Sequence, residues 1–102
     1  MSVEDPQPTE AQDKMLRMGI HETLAALGRM VRAAGVDCRE SSYRRLGLNP
    51  NDGNLYYVVF CSETEGYLVR IRRDAAGSSG VMSCRAFQTM SGRNCATVRK
   101  FQ

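Results

Sequence analysis

The chain has no tryptophan, one histidine and three prolines, and only 7% of it is aromatic. Its longest unbroken apolar run is Leu55–Cys61, far short of the roughly eighteen residues that a membrane-spanning helix requires. With His21 alone, no multi-histidine centre can assemble, and no metal or cofactor is expected. None of the four cysteines stands in a Cys-x-x-Cys pair, which removes the spacing of a zinc ribbon, a thioredoxin-type redox site and a haem attachment. There is no Gly-x-Ser-x-Gly elbow. Asp74–Gly80 is rich in glycine and serine, but no helix is expected after it to set a dipole against a phosphate. Glu63 and Glu65 alternate in an exposed turn, so no carboxylate pair offers itself for acid–base work. The sequence reads as a non-catalytic protein.

What is present is ordinary globular composition. The 102 residues are 42% hydrophobic and 25% charged, enough chain for one hydrophobic core but not two. Charge is placed unevenly. Met1–Asp13 holds four acids and no base, whereas the remainder carries fourteen bases against seven acids, about +7. Twelve of the bases are arginine, a bias for which a GC-rich genome suffices without any demand for guanidinium chemistry. Residues 1–8 are polar and proline-punctuated and read as a disordered tail ahead of a single domain over 9–102. That tail lacks the basic start and apolar stretch of a secretory signal. The sequence therefore suits either a cytoplasmic protein or a mature chain whose signal has been cleaved.

Thr9 and Gln12 have the spacing of a capping box, with acids in the first turn. Leu16, Ile20, Leu24, Leu27, Val31 and Ala34 then recur along one helical face, flanked by Met15, Met18 and Met30. Gly35 stands where a helix ends in a left-handed residue. The spacing predicts one long helix of about 25 residues, roughly 37 Å, in which Gly19 and Gly28 each cost about 1 kcal/mol and mark a close backbone approach or, alternatively, a kink that folds the first turns back onto the domain. Residues 36–48 are mixed in character, and Asn49–Asn54 is the strongest turn cluster. Leu55–Cys61 is apolar on both faces, as a central strand is. Further strands are expected over 67–73, 81–87 and 95–101. The expected fold is α+β: one long N-terminal helix packed on a four-stranded antiparallel β-meander.

Cys38, Cys61, Cys84 and Cys95 are an even count at a density that favours disulfides over buried thiols. In the expected meander, Cys61 and Cys84 sit on strands separated by a third, beyond the roughly 7 Å Cα separation that a bridge tolerates. Cys84 and Cys95 fall on adjacent strands, and Cys38 lies where the chain returns from helix to sheet. The expected pairing is Cys38–Cys61 and Cys84–Cys95, each worth roughly 3 kcal/mol through loop closure.

The order Val-Asp-Cys at 36–38, Arg-Leu-Gly at 45–47, YYVVFC at 56–61, GYLVRI at 66–71, VMSC at 81–84 and Asn-Cys at 94–95 resembles small bacterial secreted or periplasmic disulfide-bonded proteins of unknown function. In that pattern a Y-x-V-x-C strand precedes a G-Y strand, and two later cysteines close the module. The resemblance covers residues 36–98. It implies a periplasmic or extracellular domain and brings no activity or ligand.

Two surfaces are candidates for binding. Strand parity puts Val69, Ile71 and Tyr67 toward the helix and Arg70, Arg72 and Arg85 on the outer sheet face. Single-strand nucleic-acid binders use such a face, but they also place aromatics on it for stacking. Here Leu68 and Phe87 are the only large apolar side chains available, so a solvated face is favoured. The second surface is the helix. A sheet of four short strands covers only about 15–20 Å of it, leaving Met15, Leu16, Met18 and Ile20 to overhang and dock a protein partner or a second copy. The favoured function is a disulfide-stapled secreted or periplasmic protein-interaction module. The alternative is a cytosolic basic protein that binds nucleic acid or a nucleic-acid-handling complex.

Overall fold

A computed structural model of the chain describes residues 7–61 and 65–95. Its elements run α1 (Glu10–Arg17), α2 (Ile20–Ala33), β1 (Glu40–Leu48), β2 (Leu55–Cys61), β3 (Glu65–Ile71), β4 (Ser79–Ser83) and α3 (Cys84–Ser91). The four strands form one antiparallel sheet in the order β1-β2-β3-β4. A four-stranded antiparallel meander is expected and found, but its first strand is Glu40–Leu48, which is not among the expected strands. Of the expected tail over 1–8 and the expected strand over 95–101, residues 1–6 and 96–101 lie outside the described residues.

The single long helix is not formed. Thr9 caps α1 through the reciprocal bonds of the capping box, its hydroxyl accepting from the Gln12 N–H while its own N–H donates to Gln12 Oε1. After the eight residues of α1, Met18 and Gly19 are both extended, and α2 starts afresh with Gly19 as its N-cap. The Thr23 hydroxyl donates to Gly19 O at 2.8 Å and secures the new first turn. A glycine without helix propensity sits at the break. The break re-aims α1, so that Gln12 and Met15 turn inward rather than the Leu16–Ile20 line of the stripe. In α2 the buried face is Thr23, Ala26, Leu27, Gly28 and Val31.

α1 is fixed across one end of the sheet by Gln12, which has no exposed surface. Its side-chain amide donates to Gly53 O at 3.1 Å, in the β1–β2 turn, and to Ile71 O at 3.0 Å, at the end of β3. That turn is built by Asn49 and Asp52, whose carboxamide and carboxylate oxygens accept from Asn51 and Asn54 N–H, with Gly53 in the left-handed region at φ +74°.

β2 is buried on both faces, as its unbroken apolar run predicts. Leu55, Tyr57, Val59 and Cys61 join Val69, Ile71, Met15, Leu27 and Val31 in the main core under α2. Tyr56 and Val58 face the other way, where Leu46, Leu68 and Cys95 make a second cluster flanked by Phe60, Cys84 and Phe87. The sheet is thus covered on both sides, by α2 on one and by α3 with its disulfide on the other, instead of on one side alone.

β1 is the strand left unassigned at 36–48. Its register against β2 shifts twice, between Glu40 and Ser42 and between Arg45 and Gly47. The second shift, with Gly47 at φ +94°, turns Leu46 into the second cluster. The expected strand over 81–87 is also corrected. It stops at Ser83, whose hydroxyl accepts from Ala86 N–H and starts α3, and Gly92 at φ +74° ends that helix.

Tyr57 is the one awkward group in the main core. Its ring packs on Tyr43 with centroids 6.1 Å apart, but its hydroxyl is buried with no hydrogen-bond partner among the described residues. Tyr57→Phe should therefore raise the free energy of unfolding by about 1 kcal/mol, since the desolvation of the hydroxyl is no longer incurred. Burial also pushes the phenol up to about 12 from its usual 10.0. A raised folded-state value means stability that is intact below pH 10 and lost as pH climbs toward 12. Urea titrations between pH 8 and 11 should show that alkaline loss reduced in Tyr57→Phe. A variant less stable than the wild type at pH 8 would contradict this account of the core.

Candidate functional site

Cys38, just after α2, is bridged to Cys61 at the end of β2, with Cα atoms 4.9 Å apart. The bridge pins the helix-to-sheet connection to the central strand, and both cysteines lie in or against the main core. Cys84, the first residue of α3, is bridged to Cys95 across 5.2 Å between Cα atoms. Cys95 is fully buried in the second cluster. Close approach here depends on Gly66, where a Cβ would stand 2.8 Å from the Cys84 sulfur and 3.3 Å from the Phe60 ring. All four cysteines are bridged, and no free thiol is left among them.

A polar clasp lies beside the first bridge. Arg32 Nη1 donates to Cys38 O at 2.9 Å and to Glu40 Oε2 at 2.5 Å. The Glu40 carboxylate occupies the space over Gly28 that any side chain there would fill. Hydrogen bonds from its own backbone N–H and then from Arg32 hold Glu40 below the ordinary carboxylate range. The interior glycine of α2 thus exchanges helix propensity for contact with β1.

The arginines expected on the outer sheet face are separated by the structure. Arg85 is exposed on α3 and meets Glu65 at 3.4 Å. Arg70 lies on β3 between Tyr56 of β2 and Gly80 of β4, and its Nε is buried without a hydrogen-bond partner among the described residues. Arg72 Nη1 donates to Ser79 O at 3.1 Å and weakly to Ser78 Oγ. Gly80 brings the second and third together. A Cβ on it would stand 3.1 Å from Arg72 Nη2, 3.2 Å from Arg70 Nη2 and 3.4 Å from Arg70 Nε. Beside them is a dimple of about 60 Å³ lined by Tyr56, Leu68, Arg70, Gly80, Val81 and Met82. Tyr56 donates to Asp52 at 2.6 Å. Burial first, and then that bond, push its phenol above the usual value, while Arg70 draws it partly back.

The helical overhang is not present, because the helix breaks. Met15 is part of the main core, and Leu16 and Met18 are half-buried against it. Of that set only Ile20 is exposed, at 71%. His21 is exposed beside it. Among the described residues no three histidine, cysteine, aspartate or glutamate side chains gather as a metal site, and no helix is long and apolar enough to cross a membrane.

Three features escaped the sequence reading. Gln12 registers there only as a capping partner, although its third atom fixes α1 to the sheet. Gly80 stands out in the sequence only as the end of the glycine- and serine-rich stretch Asp74–Gly80. The Arg32–Glu40 clasp joins two elements, one of which was unassigned, and only the helical position of Gly28 hinted at a close approach. No protein-family model, curated protein or solved structure matches the chain.

Proposed function

We propose that the chain is a small disulfide-stapled protein-interaction module without catalytic activity, working in the periplasm or outside the cell. The observation that carries this reading is the use of all four cysteines in two bridges, one in each apolar cluster. Reducing compartments do not sustain such bridges, and a core this small gains a large share of its stability from them. Interaction suits a chain whose sulfurs are bridged and whose sheet, among the described residues, ends in an edge without a strand neighbour beside two guanidinium groups. The partner surface belongs at that edge rather than on the N-terminal helix, where Met15 is committed to the core.

Expression of the chain behind an export signal, in hosts with and without a periplasmic thiol oxidase, tests the compartment. Protease-resistant protein should accumulate only where the oxidase is present. Equal accumulation of a resistant, fully reduced chain in the cytoplasm would overturn the reading.

A further inference from the structure

We infer that the outer edge of β4 binds an acidic peptide segment in extended conformation, which adds as a fifth strand and places a carboxylate on Arg70 and Arg72 across Gly80. The inference rests on the reading of the chain as an interaction module and specifies what that module takes. β4 is the last strand of the sheet, and among the described residues no strand pairs with its outer side, although Ser79 O accepts from Arg72 Nη1. Natural sheets protect their edges with charge, proline or bulges. β1, at the opposite edge, follows that rule, with two register shifts and exposed Arg44 and Arg45. β4 does not. Ser79-Gly-Val-Met-Ser83 holds no charge and no proline, and it pairs with β3 in unbroken register from Ser79 to Ser83. Its outward N–H and C=O groups are a template that a peptide backbone can match and a nucleic-acid backbone cannot.

The side chains beside that template select for charge. The Nε–Nη2 edge of Arg70 and Nη2 of Arg72 lie over Gly80, 3.1–3.4 Å from where a Cβ would stand, so the missing side chain is what lets the two guanidinium groups converge there. That edge of a guanidinium is the fork that takes a carboxylate in paired hydrogen bonds. The Arg70 Nε is buried without a partner among the described residues, so a carboxylate oxygen reaches it only as the side chain swings outward, and that contact then relieves the cost of its burial. Two residues along β4, on the same face, Met82 borders the dimple of about 60 Å³. An added strand therefore offers two consecutive same-face positions to the site, an acid opposite Gly80 and a small apolar residue opposite Met82. The net charge of about +7 beyond Asp13 favours acidic partners in encounter. A second copy paired β4 to β4 fits poorly, since antiparallel pairing about Val81 sets Gly80 of each copy opposite Met82 of the other and crowds four guanidinium groups together.

The probe is a blocked heptapeptide, Thr-Glu-Thr-Ala-Thr-Glu-Thr, titrated into the oxidised full chain while backbone amide resonances are followed by NMR. Shifts and slowed hydrogen exchange should concentrate at Ser79–Ser83. The glutamine counterpart of the peptide, and Arg70→Gln/Arg72→Gln protein, should each bind about tenfold more weakly. A peptide with proline at its centre should not bind at all, because it cannot complete the ladder. The peptide arms leave the protein unaltered, so they decide even if the double variant unfolds. No response at β4 at millimolar peptide, equal binding of the glutamine peptide, self-association through β4, or tighter binding of an oligothymidylate at Arg70 and Arg72 would each overturn the inference. Any of these results together with intact disulfides and oxidase-dependent folding would remove the peptide site and leave the compartment reading standing.

Discussion

Replacing Cys38 and Cys61 together with alanine is expected to lower the free energy of unfolding by about 3 kcal/mol. The bridge joins residues 23 apart in sequence, and closing a loop of that size removes about 3 kcal/mol of conformational entropy from the unfolded chain. Alanine rather than serine is the right replacement, because both positions are buried among Val31, Val59 and other apolar groups and a hydroxyl there would add its own desolvation cost. Because the bridge lies at the junction of α2 with the sheet, its loss should also loosen the Arg32–Glu40 clasp. Urea titration of the variant beside the wild type, oxidised and reduced, measures the effect. Reduction of the wild type should cost more than the variant loses, since it opens Cys84–Cys95 as well. A variant within about 1 kcal/mol of the wild type would show that packing, not cross-linking, holds the two layers together.

Gln12→Leu should cost about 3 kcal/mol, an unusual amount for a residue of the first helical turn. The glutamine side chain serves three backbone groups at once: the Thr9 N–H, Gly53 O and Ile71 O. Leucine fills similar volume but leaves those groups to be desolvated without a partner, at about 1 kcal/mol or more each. Gln12→Glu separates the contributions, because it keeps the acceptor for Thr9 while losing the donor to both carbonyls and burying a carboxylate. It should be worse than leucine at pH 7 and recover part of the deficit as the pH is lowered. Thr9→Ala, which removes only the cap, should cost about 1 kcal/mol. In hydrogen exchange the Gln12→Leu variant should lose protection along Glu10–Arg17 before the sheet is affected. Uniform loss across all elements would mean that α1 is not a separate docked unit.

Much of the sheet was legible because local signals agreed. Leu55–Cys61 is apolar at every position, and only a strand buried on both faces uses such a run. The Asn49–Asn54 turn and the alternation of Tyr67, Val69 and Ile71 fixed the neighbouring hairpin. β1 was hidden by its own irregularity. Two register shifts disrupt the alternation on which strand recognition depends, so Leu46 and Tyr43 enter different clusters although their spacing says little. The helix failed for a different reason. A 3.6-residue apolar period continues through Leu16, Ile20 and Leu24, and a periodic pattern cannot register a break that preserves it. Gly19 and Thr23 carried the only hint. The strand-to-helix change at Ser83 is likewise local, with Ser83 as cap and Gly92 as stop, but Val81, Met82 and Phe87 suit either element. The convergence of Arg70 and Arg72 required the third strand neighbour to be a glycine, and that is a fact of register which spacing along the chain does not contain.

The central claim is that two disulfides hold this module together. It is tested most directly by the intact mass of the protein expressed behind an export signal, after alkylation under denaturing conditions and without reductant. Cys38, Cys61, Cys84 and Cys95 should take up no label, and after reduction all four should be labelled. Peptide mapping of the unreduced chain should recover Cys38 linked to Cys61 and Cys84 linked to Cys95. Four labelled thiols before reduction, in protein that is folded and active in binding, would contradict the account.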